Sequence, residues 1–245
     1  MENIQIYLNS KRANKYINSQ TSDCIFHLPH INVSKSKQIS ISVLHAQIPG
    51  SFYNINHSNN KLVYRITDTF YQTVYLEPSN YNINTLITHI ESLINVEINI
   101  SYSVSSNKLT ITNNSGATFF IIGKESTCLE LLGFSAKEHT SVNDILISDN
   151  VVNLFLIRTL QICSDNFILN NIDSYNPNNS NILASIPITS SFNSIISYNN
   201  PHDVHSEINN TRNLTNLHIK ITDQDANVIE LNGAHWSITL LLTIK

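Results

Sequence analysis

Charge is scarce in this sequence. Lys, Arg, Asp and Glu make up 13% of its 245 residues, 14 basic against 18 acidic, for a formal net charge of −4. A nucleic-acid groove needs clustered Lys and Arg interleaved with stacking aromatics, and the only basic clusters are Lys11, Arg12 and Lys15, then Lys35 and Lys37. Both lie in polar stretches and read as solvated faces, so no specific nucleic-acid binding is expected. Glycine is equally sparse: Gly50, Gly116, Gly123, Gly133 and Gly233 are too dispersed for a P-loop or a dinucleotide fingerprint. Cys24, Cys128 and Cys163 are odd in number, far apart and set among apolar residues, the pattern of buried thiols and not of a disulfide framework. Gly-x-Ser-x-Gly, Cys-x-x-Cys, His-Glu-x-x-His and calcium-loop motifs are missing as well. No apolar run reaches the roughly 18 residues a spanning helix needs. The opening MENIQIYLNSKRANKY lacks the apolar core of a signal peptide. Neither a membrane-spanning segment nor secretion is expected.

What the chain has instead is isoleucine and asparagine, about one residue in seven each, well above usual composition. That pair favours strands joined by asparagine-tolerant turns. Strand-like alternation recurs at residues 3–8, 23–28, 38–48, 61–67 and 71–76. The pattern then changes: Ile83, Leu86, Ile87, Ile90, Leu93 and Ile94 stand at helical spacing, with Ser79 or Asn80 as cap. Residues 97–104 and 108–112, split by Ser-Ser-Asn, read as a hairpin, and 118–122 as a further strand. In STCLELLGF, Ser126 or Thr127 caps a short helix that Gly133 stops. Strand signals resume at 151–158, 160–163, 182–188, 194–198, 214–222 and 227–231, and residues 170–181 form a long polar loop.

The last segment, IELNGAHWSITLLLTIK, places Trp236, Ile238, Leu240, Leu242 and Ile244 on one face and His235, Ser237, Thr239 and Thr243 on the other, with Leu241 alone breaking the alternation. Those five apolar residues predict a core strand paired on both sides. Residues 223–227 and Asn232-Gly233 are tight-turn sequences that bring 217–221 beside 228–231. The organisation expected is an all-β chain: a single jelly-roll β-sandwich of residues 1–76 plus 144–245, carrying an inserted small α+β domain at 77–143.

Site chemistry is thin. His202 and His205 flank Asp203, and His27 and His30 stand in His-Leu-Pro-His, but each set lacks an obvious further metal ligand. Close pairs arise by chance among 10 histidines. His235 beside Trp236 reads as a packed or interface histidine. No catalytic residue, metal or cofactor is expected. The 10 tyrosines cluster with phenylalanine in SFYNIN and TFYQTVY, where core and interface use outweighs sugar stacking.

Taken together, ISVLHAQIPGSFYNIN (41–56), NYNINTLITHI (80–90), NKLTITN followed by LLGF, and the terminal IELNGAHWSITLLL make a chain that resembles the penton (minor capsid) proteins of virophages and polinton-like viruses. The resemblance runs from about Ile4 to the end. It implies a single jelly roll that assembles as a pentamer at each vertex of an icosahedral virion, among double-jelly-roll major capsid proteins. It also implies a protein made in the host cytoplasm and located in the virion. Two readings of other classes stand beside it: a virion fibre or lectin-like attachment protein with Phe52, Tyr53 and Tyr71 exposed, and a cupin-like metal enzyme using His202, His205 and a third ligand.

Overall fold

The computed structural model describes residues 2–34, 37–67, 70–94, 97–172, 180–200, 204–208 and 213–245. Two units emerge, Met1–Phe52 with Ile157–Lys245, and Tyr53–Leu156. The larger unit begins with β1 (Glu2–Asn9), β2 (Lys15–Ile17), β3 (Gln20–Asn32) and β4 (Ile39–Pro49). Asn18 and Ser19, both at positive φ, turn β2 into β3. In β4 the buried side chains change phase, from Ile39, Ile41 and Val43 to Ala46 and Ile48. The cause is a β-bulge: Val43 faces Leu240 and His45 faces Thr239, leaving Leu44 as the extra residue. Without it, a one-residue slip would turn half of the strand inside out.

The smaller unit follows in sequence with β5 (Lys61–Ile66), β6 (Gln72–Tyr75), α1 (Ile83–Leu93), β7 (Ile98–Ser103), β8 (Lys108–Asn113), β9 (Phe119–Ile121), α2 (Leu129–Leu132), β10 (His139–Thr140) and β11 (Ile145–Ile147). Its sheets run β10-β9-β5-β6 and β11-β8-β7. Leu62, Tyr64, Leu86, Ile90, Phe119 and Leu131 belong to a core of its own.

Helix α1 starts at the cap Asn82, whose side chain accepts from Asn84 and Thr85 N–H while Thr85 returns a bond to the Asn82 backbone. Ser79, one of the two caps expected, is instead bridged to the backbone of Ile55 at 3.0 and 3.1 Å. The Asn54 carboxamide then grips the backbone of Tyr81 through both its atoms, at 2.8 and 2.9 Å, so the helix cannot begin earlier. Ser126 and Thr127 are also not caps: their hydroxyls accept from Val63 and Lys61 N–H of β5 at 2.9 and 3.0 Å. Gly133 closes α2 at φ +79, and a Cβ there would stand 2.5 Å from the Asn150 carbonyl oxygen.

The smaller unit is wider than residues 77–143. Strand β5 pairs with β6 and β9, and β11 pairs with β8, so residues 61–76 and 145–147 fall on its side of the boundary and not in the jelly roll. Strand periodicity reports which face is buried, not which sheet supplies the neighbours. Residues 151–158, expected as a strand, form none. Val152, Leu154 and Leu156 alternate because they pack on the smaller core.

The chain completes the larger unit with β12 (Thr159–Cys163), β13 (Ile182–Pro187), β14 (Ile195–Asn199), β15 (Ser206–Glu207), β16 (Asn213–Thr222) and β17 (Ser237–Ile244). One sheet runs β1-β17-β4-β14, with β15 also on β4, and the other runs β13-β12-β16-β3-β2. Setting aside the short β2 and β15 and counting the rest in chain order, the first sheet reads first, eighth, third, sixth and the second fifth, fourth, seventh, second. That is the strand order of a jelly roll, two Greek keys folded into facing antiparallel sheets. One hydrophobic core joins both sheets, among others Ile41, Val43 and Leu240 from the first and Phe26, Ile162 and Ile219 from the second.

Candidate assembly surface

Trp236, Ile238, Leu240, Leu242 and Ile244 are all buried. Strand β17 lies between β1 and β4, in register from Glu2↔Ile244 to Asn9↔Ser237. Trp236 stands one residue before that strand and ties a surface turn to the core. Its N–H donates to Ser10 Oγ at 3.0 Å, its carbonyl accepts from Ser10 N–H at 3.0 Å, and its indole N–H donates to the Thr21 carbonyl at 2.7 Å. Phe26 meets the indole edge-on at 5.8 Å between ring centroids. The Tyr16 hydroxyl donates to the Ser10 carbonyl at 2.7 Å, and Asn14 is fixed by Ile25 and His27 of β3. Lys11, Arg12 and Lys15 are exposed on this anchored segment.

A second anchored segment joins β16 to β17. The Asp223 carboxylate accepts from Asp225 and Asn227 N–H, both at 2.9 Å, closing the tight turn expected there. Ile229 N–H donates to the Ile221 carbonyl at 3.0 Å, its own carbonyl accepts from Ser22 Oγ, and the Leu231 carbonyl accepts from Ser51 Oγ at 2.7 Å. Instead of the strand expected at 227–231 there is a single bridge, Thr222↔Val228, because this segment wedges between β16 and the start of β3. Asp225 and Glu230 are exposed on it.

Candidates for chemistry fare differently. His202, Asp203 and the side chain of His30 lie outside the described residues. His27 is exposed and bonded to Asn216 of β16. Among the described residues no group of three His, Cys, Asp or Glu is placed to hold a metal ion. Ser10 Oγ and His235 Nδ1 stand 3.0 Å apart, the spacing of a nucleophile and its base, but Ser10 has no solvent exposure and already accepts from Trp236. The dyad is a structural tie. Burial pushes the Cys24 and Cys128 thiols up to about 12, which keeps them protonated at neutral pH.

A polar cluster not foreseen from the sequence lies on β16. His218 stands between Asp23 Oδ1 at 2.5 Å and Asp165 Oδ2 at 3.3 Å, and Lys220 also reaches Asp165. Alternation puts His218 and Lys220 on one face, but Asp23 and Asp165 arrive from β3 and from the end of β12, which spacing does not reveal. The aromatic candidates separate too. Phe52 packs against the larger core and Tyr53 is half-buried, whereas Tyr71 is exposed along with Phe70 and Tyr75 around the edge strand β6.

No family model and no curated protein matches this sequence. Solved structures do match. The crystal structure of the mavirus penton protein aligns over 100% of both chains at 13% identity with a TM-score of 0.50. A chain in the electron cryo-microscopy structure of the Sputnik virophage aligns over 97% of both chains at 10% identity, with a TM-score of 0.46. The chain described here therefore shares its fold with the mavirus penton protein.

Proposed function

We propose that this chain is a structural capsid protein, not an enzyme, that forms the pentameric vertex of an icosahedral virion. In this reading it is made in the host cytoplasm and seated among double-jelly-roll major capsid proteins. The observation that carries the proposal is the fold likeness to the mavirus penton protein over the full length of both chains. The jelly-roll strand order agrees with it.

The test is the mass of the purified chain in solution. Mass photometry is expected to find a species near five times 27.6 kDa, and averaged electron micrographs of it fivefold symmetry. Such a result is discriminating because soluble oligomers mostly adopt twofold or dihedral symmetry. A twofold dimer or a dihedral tetramer as the final species overturns the proposal.

A further inference from the structure

Two sets of unpaired charges stand at one end of the jelly roll. The residues after Asn9 lead from the end of β1 to the start of β3, and those after Thr222 lead from the end of β16 to the start of β17. Asn9 faces Ser237 across the β1–β17 ladder, and Asp23 faces Lys220 across the β3–β16 ladder, so both connections cross the same end of the sandwich. The first carries Lys11, Arg12 and Lys15, on the side where β1 and β2 form the sheet edges. The second carries Asp225 and Glu230, farther in, where the chain leaves and re-enters beside β16. Among the described residues none of these five forms an ion pair. Each set is held in place, the cations by the bonds of Ser10 and Asn14, the carboxylates by Asp223 and the Ile229 backbone. Both connections thus lie at one end of the sandwich, the basic one toward the β1 and β2 edges and the acidic one farther in along the strand order.

We propose that neighbouring copies of this chain meet head to tail with Lys11, Arg12 and Lys15 of one set against Asp225 and Glu230 of the next; this rests on the ring assembly proposed above. A head-to-tail contact uses two different patches of the same molecule and closes into a ring when the rotation fits. Opposite charges on such patches favour that pairing over a twofold contact centred on either set, which would bring like charges together. Exposed charges of this kind set encounter rate and register more than affinity, and their effect fades as salt shortens the Debye length.

The experiment is charge reversal read by sedimentation velocity at about 0.05 M and about 0.5 M salt. Lys11→Glu with Arg12→Glu and Lys15→Glu is expected to weaken self-association about tenfold or more at the lower salt and far less at the higher. Adding Asp225→Lys and Glu230→Lys to that variant restores assembly to within about threefold of the starting chain, because both faces are then reversed together. Thermal melts check that each variant is folded. As a second measurement on the unaltered chain, zero-length carbodiimide coupling of mixed light and 15N-labelled protein is expected to join Lys11 or Lys15 of one copy to Asp225 or Glu230 of another. Rings that form equally well with the basic face reversed, or a combined variant no better than the basic-face variant, overturn the charge pairing and leave the ring standing. A starting chain that stays monomeric at every concentration overturns both.

Discussion

Trp236 shows how much one side chain can organise. It fills the core, holds Ser10 through its backbone and Thr21 through its indole, and so fixes the turn that presents Lys11 and Arg12. Trp236→Ala is expected to cost about 3 to 5 kcal/mol, out of a domain stability of about 5 to 15 kcal/mol. Urea unfolding followed by circular dichroism measures it, since the substitution removes the only tryptophan fluorophore. Trp236→Phe keeps a ring in place and leaves the Thr21 carbonyl with only the weak Cys24 thiol as donor, so a loss of about 1 to 2 kcal/mol is expected. The burial of Trp236 was legible from alternation alone. Its bond to Ser10 was not, because the partner lies 226 positions away, and nothing in a local pattern encodes a distant hydrogen bond.

Among the elements, the strands were the most legible part, since half-buried strands write their geometry as alternating residues. The hairpin β7–β8 fell where Ser-Ser-Asn placed it, with Asn107 at positive φ. Partner choice was less legible. Strands β5 and β6 look no different from β4, and only their ladders assign them to the smaller unit. Helix α1 was expected from its spacing, but its start moved to Asn82 because Ser79 was already committed to Ile55. Strand β17 allows a test. Removing residues 237–245 strips β1 of its partner in the sheet and β4 of one neighbour, leaving a row of unpaired backbone groups on each. The shortened chain is expected in the insoluble fraction on expression. A stable, soluble monomer would mean that the strand serves assembly and not the core.

At the scale of the whole molecule, two cores invite separate handling. Residues 53–156 enclose their own buried cluster, and the capping box that starts α1 closes within the same segment. Expressed alone, this segment is expected to give a dispersed amide spectrum and a cooperative melt. A broad, collapsed spectrum would mean that it depends on the rest of the chain. The position of β17 has a consequence for synthesis. Translation delivers β1 first and β17 last among the described strands, yet β17 is what joins β1 to β4. That sheet therefore cannot be completed until β17 has been made, and β1 waits through the synthesis of every other described strand for its one sheet partner among them. Such distant pairing makes folding slow. It also makes closure a check on length: a chain cut short of β17 leaves β1 and β4 with open edges and cannot complete the sheet.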